Sequence, residues 1–185
     1  MDELYIKKVL DGDTDAFRYL VHQYKDRAYT IALSVLKNEY DARDAVQEAY
    51  IIAFRKLGKF RGSSEFSTWL FRIVINESLK YSGKFKKENP GSTVRAEVPG
   101  IDHTEIHDRL SQSEQRYFID LAMANISSNE ALALTLFYIQ EHSIEEIGEL
   151  TGWTVSKVKV LLHRGRQNMY HELNLLLSTE KKTLY

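Results

Sequence analysis

The chain has 185 residues, 43% hydrophobic, with 9 glycines, 2 prolines and 0 cysteines, a length for one medium domain or two small ones. Zero cysteine excludes a disulfide scaffold, a thiolate metal site and a cysteine nucleophile. The net charge of -1 is uninformative, but its distribution is not: residues 1–54 carry net -3, residues 55–87 net +7, residues 88–150 net -9 and residues 151–185 net +4. Two basic segments separated by an acidic one suit two polyanion contacts on one chain; solvated helix faces are the plainer alternative.

The start, Met1-Asp2-Glu3-Leu4, has no basic n-region and no apolar h-region. No apolar run approaches the roughly 18 residues that span a bilayer. A cytoplasmic protein without membrane insertion is expected.

Few helix breakers and long periodic stretches predict an all-α chain. The first helical block covers residues 1–81. Asp13 or Asp15 caps a helix with the apolar stripe Phe17, Leu20, Val21, Tyr24, Ala28, Ile31 and Val35. A second helix starts at Asp41 and carries Ala45, Ala49, Ile52, Phe54 and Leu57. Gly58 and Gly62 bracket a loop, after which Ser67 caps a third helix holding Leu70, Ile73, Val74 and Leu79.

Residues 82–112 lose the apolar periodicity and contain both prolines, Pro90 and Pro99, with Gly83, Gly91 and Gly100. A linker of about 25–30 residues is predicted, too long for a loop inside a compact domain. The second helical block covers residues 113–177, and residues 178–185 form a tail. Ser127 with Glu130, and Ser143 with Glu146, have the capping-box form. The first precedes the stripe Leu132, Leu136 and Ile139; the second starts a short helix with Ile144, Ile147 and Leu150. A tight turn, Thr151-Gly152-Trp153-Thr154, leads to a last helix capped by Thr154, with Val155, Val158, Leu162 and Met169 facing inward. A short helix, a glycine-containing turn and a longer basic helix form the helix-turn-helix pattern. The expected architecture is two small helical bundles joined by a flexible linker, the second a helix-turn-helix domain.

Three stretches carry the functional signal. On the last helix Lys157, Lys159, Arg164 and Arg166 meet no acid until Glu172, and Ser156 and Lys157 occupy the end that a recognition helix presents to base edges. Residues 60–72 mix Phe60, Phe66, Trp69 and Phe71 with Arg61, Arg72 and small polar residues. An opened DNA strand offers base faces on which aromatics stack at roughly 1–3 kcal/mol per base. A Ser- and Gly-rich loop beside them suits one extruded base. Aromatics at helical spacing are also ordinary core, which is the competing reading. Asp41 and Asp44 suit a helix N-terminus through the dipole alone. Gln47 and Glu48 beside Val46, Tyr50 and Ile51 form a mixed face that suits a partner helix.

Catalysis and metal binding find little support. His103 and His107 are four apart but lie in the predicted linker with no third ligand in view. No phosphate-cradling glycine loop, nucleophile elbow or HExxH is present. No catalytic residue, metal or cofactor is expected.

Together these stretches resemble the extracytoplasmic-function (ECF) sigma factors of bacterial RNA polymerase. Residues 41–54, DARDAVQEAYIIAF, are similar to that family's polymerase-binding helix. Residues 60–76, FRGSSEFSTWLFRIVIN, resemble its promoter-melting segment, and residues 143–166, SIEEIGELTGWTVSKVKVLLHRGR, its C-terminal helix-turn-helix. The resemblance covers roughly residues 5–175, with the motifs in the family's order. It implies that Asp41, Asp44, Val46, Gln47 and Glu48 dock on the coiled coil of the polymerase's largest subunit. Phe60, Arg61, Ser63, Ser64, Phe66 and Trp69 would hold the melted minus-ten strand, with Arg72, Asn76 and Lys80 on the following helix. Ser156, Lys157, Lys159, His163, Arg164 and Arg166 would engage the minus-thirty-five element. Core RNA polymerase, promoter DNA and an anti-sigma factor are the implied partners.

The recognition helix departs from the family pattern Thr-Val-Lys-Ser-Arg-Leu-His-Arg-Ala-Arg at four places. Lys157, Val160 and Leu161 stand for Thr, Ser and Arg, and Gly165 stands for Ala, weakening the helix by up to about 1 kcal/mol. Two other functions fit parts of the pattern. One is a polymerase-independent helix-turn-helix regulator on a palindromic site. The other is a helical adaptor that binds proteins only.

Overall fold

The computed structural model describes residues 1–88 and 112–183, and the side chains of 1–83 and 113–178. Among these residues every regular element is helical. Helix α1 spans Asp2–Leu10, α2 Phe17–Leu36, α3 Glu39–Lys56 and α4 Phe66–Glu88. Helix α5 spans Gln112–Asn125, α6 Ser128–Leu134, α7 Ile144–Thr151 and α8 Val155–Thr183.

The N-terminal bundle is α2, α3 and α4 packed on one another, with α1 laid on α2. Asp13 is the capping aspartate of the two candidates. Its carboxylate accepts the Ala16 amide at 3.2 Å and shapes a 3-10 turn over Thr14–Ala16 that feeds α2. Helix α2 ends at Lys37, which takes a left-handed φ of 56°. Helix α3 starts before Asp41 because Asn38 supplies the cap, accepting the Asp41 amide at 3.0 Å. Its inner face is alanine: Ala42, Ala45, Ala49 and Ala53 are all buried. Small side chains on one stripe let the neighbouring axes approach closely. Helix α4 starts one residue before the predicted Ser67 cap. The Ser67 hydroxyl instead donates to the Glu65 carboxylate at 3.2 Å.

Helix α4 runs through Gly83 to Glu88, seven residues into the segment predicted as linker. A lone glycine weakens a helix by about 1 kcal/mol but does not end it. Pro90, Gly91, Pro99, Gly100, His103 and His107 lie outside the described residues.

In the C-terminal bundle α8 packs on α5, α6 and α7. Both capping boxes form: Ser127 pairs with Glu130 and Ser143 with Glu146, each hydroxyl accepting and each carboxylate reaching back. After α6 the chain makes a π turn over Thr135–Ile139. That extra residue per turn rotates the expected stripe. Leu132 and Leu136 are buried, but Ile139 is 59% exposed. The turn into α8 forms at Gly152, φ 72°, whose amide donates to the Gly148 carbonyl at 2.9 Å. Thr154 caps α8 through the Lys157 amide at 3.2 Å. Val158 and Leu162 are buried and Met169 partly so, as the periodicity predicts. Val155 is exposed, because the first helical residue still lies on the outer turn.

The two bundles meet. Helix α2 packs on α6 and the π turn, and α4 packs on α7. Arg27 Nε donates to Gln140 Oε1 at 2.6 Å, and the Ser128 hydroxyl to the Val35 carbonyl at 2.8 Å. Lys37 Nζ donates to the carbonyls of Ala124, at 2.8 Å, and Ile126. Buried residues of both bundles form one continuous apolar cluster.

Candidate nucleic-acid and polymerase interface

The outer face of α3 and the adjoining side of α2 form an open groove of about 780 Å³. Val46 and Gln47 line it together with Phe17, Tyr50, Ile51 and Phe54. Gln47, Tyr50 or Ile51, and Phe54 follow helical spacing, so the groove was readable on α3. The contribution of Phe17 from α2 was not. Phe17 meets the rings of Tyr50 at 6.4 Å and Phe54 at 5.2 Å, both edge-on. Burial, with Asp26 nearby, pushes the Tyr50 hydroxyl well above its ordinary pKa, so it stays neutral. Asp41 and Asp44 lie near the start of α3 and do not line the groove. Glu48 turns away to a small pocket with Glu77, Lys80 and Tyr81 of α4. The five predicted docking residues therefore occupy more than one face of α3.

The segment after α3 separates support from surface. Phe66 is 3% exposed, whereas Phe60 and Trp69 are half-buried. Their rings cluster: Phe60 lies 5.7 Å from Phe66 and 5.4 Å from Trp69, and Phe66 lies 5.7 Å from Trp69. Tyr24 of α2 lies beneath them, 5.8 Å from Phe66 and 5.9 Å from Phe71. The Tyr24 hydroxyl donates to the Asp2 carboxylate, and burial together with that bond raises its pKa. The link ties α1 to the aromatic cluster, and nothing local in the sequence announces it. Between Phe60 and Phe66 in the chain, Arg61, Gly62, Ser63 and Ser64 are exposed, with Gly62 at φ 67°. A side chain is strained at that φ, which suits a sharp loop built on glycine.

Arg72, Asn76 and Lys80 are exposed on α4 at steps of four, which places them on one face. Lys80 pairs with Glu77 at 3.1 Å, and this bond raises the pKa of its amine.

On α8 the predicted residues Ser156, Lys157, Lys159, His163, Arg164 and Arg166 are all exposed. Lys157 Nζ sits 4.9 Å from the Trp153 ring, and Arg166 donates to the Tyr138 hydroxyl on the π turn at 3.2 Å. Val160, at 47% exposure, shares this outer surface. Glu130 is held ionised beneath it. Burial raises its pKa, but hydrogen bonds with Ser127 and Asn168 and the charge of Arg164 outweigh burial and lower it. Gly165 is a packing residue: a β-carbon there would lie 3.1 Å from Leu134 Cγ.

Among the described residues no group of three or more His, Cys, Asp or Glu is placed to hold a metal. Among them also, no helix is long and apolar enough to cross a membrane.

The Sigma-70 region 2 family matches residues 20–86, and the Sigma-70, region 4 family matches residues 119–169. Over 179 residues the chain is 32% identical to the ECF RNA polymerase sigma factor SigW of Bacillus subtilis, covering 91% of this chain and 94% of that one. The chain belongs to the ECF sigma factors. It is also 28% identical to the sigma-E factor of Escherichia coli K12, covering 95% of this chain and 96% of the relative. The fold of this sigma factor is shared by the RpoE of Bartonella quintana, solved with the anti-sigma factor NepR. That match has a TM-score of 0.68 at 22% identity, covering 85% of this chain and 96% of that one. Region 2 thus contains the α2–α3 groove, the aromatic cluster and the α4 face, and region 4 contains the helix-turn-helix. As a sigma factor the protein directs RNA polymerase to promoters, and a polymerase-independent regulator is not favoured.

Proposed function

We propose that this sigma factor works by binding alone, with each step assigned to named side chains. The α2–α3 groove takes a helix of core RNA polymerase. Val46 and Gln47 meet its apolar side, and Asp41, Asp44 and Glu48 meet cationic groups around it. Phe60 and Trp69 offer half-buried ring faces to unpaired minus-ten bases, and Phe66 holds those rings in place. Arg61, Ser63 and Ser64 line the loop that takes one extruded base, while Arg72, Asn76 and Lys80 follow the strand along α4.

Ser156, Lys157, Lys159, His163, Arg164 and Arg166 grip the minus-thirty-five duplex. Binding energy that exists only when bases are unpaired shifts the duplex-to-bubble equilibrium, as any ligand shifts toward the state it prefers. The working parts are residues 1–81 and 113–177, connected by 82–112. The protein acts in the cytoplasm, and an anti-sigma factor restrains it, as NepR binds its structural neighbour.

The strongest support is the half-buried, clustered pair Phe60 and Trp69, with the exposed Gly62-Ser63-Ser64 loop lying between them in the chain. Fully core aromatics offer no ring face to a base. The test is run-off transcription with core polymerase on a promoter library. Promoter-specific transcripts are expected, and their absence would sink the assignment of these residues to promoter recognition.

A further inference from the structure

Helix α8 carries an apolar residue at the centre of its basic outer face. At about 100° per residue, Val158, Leu162, Gly165 and Met169 fall within an arc of about 60°, and this arc is the side turned to the bundle. Val160 lies about 170° from the middle of that arc. It is 47% exposed. Arg164 and Lys157 stand about 40° and 60° to one side of it, and Lys159 and Arg166 about 100° and 120° to the other. Two of these cations have aromatic partners off the helix. Lys157 Nζ sits 4.9 Å from the Trp153 ring, and Arg166 donates to the Tyr138 hydroxyl at 3.2 Å.

The fold gives no reason for this valine. Leu161, the neighbouring apolar departure from the family pattern, is half-buried and packs on the core. Val160 points the other way, and a β-branched side chain loses rotamer freedom in a helix. An isolated exposed valine is ordinary. What sets this one apart is its place. It stands about 8 Å along the axis from Val155, where α8 begins, within the first turns that a recognition helix presents to base edges.

The major groove limits what such a residue can meet. A helix lying in it has phosphates along both walls and base edges along the floor. Cations on both flanks of α8 suit the walls. On the floor the base pairs offer donors and acceptors, and one apolar group, the thymine C5-methyl. Valine has no hydrogen-bonding side-chain group. Against a donor or acceptor it would displace water without replacing the bond. Against the methyl, two apolar groups leave water together.

We infer that Val160 is a specificity-determining residue of the minus-thirty-five contact and selects a thymine by packing on its C5-methyl group. The inference rests on the proposed placement of α8 in the minus-thirty-five duplex, and it adds which base chemistry the centre of that helix prefers.

The test uses the full chain with core polymerase. Run-off transcription of a promoter library first gives the preferred minus-thirty-five element. Each thymine of that element, on either strand, is then replaced singly by deoxyuridine, which removes the methyl and keeps every hydrogen-bonding group. One replacement is expected to weaken promoter binding by the parent holoenzyme about fourfold, the effect of one buried methyl. Val160→Ser, at an exposed position, should keep its helicity by circular dichroism and bind the thymine and deoxyuridine promoters equally. Its library should also show a relaxed preference for thymine at that base pair.

The inference is overturned if no minus-thirty-five thymine is methyl-sensitive with the parent. It is overturned equally if Val160→Ser keeps the full sensitivity. Promoter-specific transcription without a methyl effect removes the role of Val160 alone. Absence of any promoter-specific transcript sinks this inference together with the promoter contacts on which it rests.

Discussion

Gly165 of α8 faces Leu134 of α6 so closely that a β-carbon on it would stand 3.1 Å from Leu134 Cγ and 3.2 Å from Cδ1. The glycine lets the recognition helix lie against α6. Gly165→Val should overpack this contact and destabilise the C-terminal bundle by about 1–3 kcal/mol. Gly165→Ala should change stability far less, since a helix-propensity gain of up to about 1 kcal/mol offsets the crowding of Leu134. Urea denaturation followed by circular dichroism measures both. A valine variant as stable as the parent would show that the contact relaxes freely.

The aromatic cluster predicts a split between neighbours. Phe66 is buried, so Phe66→Ala should cost about 3–5 kcal/mol and report on folding. Trp69 is half-exposed, so Trp69→Ala should leave the chain folded and bound to core polymerase while open complexes fall steeply. Permanganate reactivity of the minus-ten thymines, read beside a polymerase-binding assay, separates the two effects. Equal loss of both signals for Trp69→Ala would assign that ring to packing.

For Lys157 and Arg164, both exposed on α8, alanine substitution should weaken duplex binding by the assembled polymerase. Each lost phosphate contact should lower the slope of log affinity against log salt by about 1. Titrations at several salt concentrations measure this. An unchanged slope with relaxed sequence preference would instead place that residue on a base edge.

His142 predicts an acid sensitivity. Burial holds its pKa below the ordinary 6.5 against the opposing pull of Glu146, with Arg27 lowering it further and Glu65 raising it. Its Nε2 is buried without a hydrogen-bond partner. Protons then bind the unfolded chain more readily than the folded one just below pH 6.5. The contribution of His142 is therefore complete above that pH and lost as pH falls toward its folded value. Thermal melts from pH 7.5 to 5 should show a steeper loss of stability for the parent chain than for His142→Phe. Superimposable pH profiles would remove His142 from the account.

The sequence by itself determined the helical blocks, three of their caps and the family. Ser127 with Glu130, Ser143 with Glu146, and the Thr154 cap are local hydrogen-bonding patterns over three residues, and they form as read. The exposed basic positions of α8 and the Arg72, Asn76 and Lys80 face of α4 follow from helical periodicity alone. Periodicity failed where the backbone changed its period. The π turn at Thr135–Ile139 put Ile139 into solvent, and Gly83 proved insufficient to stop α4.

Only the tertiary structure decided that Phe17 of α2 completes the groove on α3, that Glu48 turns from it toward Lys80, and that Phe66 supports rather than displays the aromatic pair. It alone joined Lys37 to Ala124, 87 residues away. Caps and periodicity are set by neighbours within a turn or two, so they leave a mark in the sequence. Contacts between distant helices depend on how whole surfaces fit, and no short stretch of sequence encodes that fit.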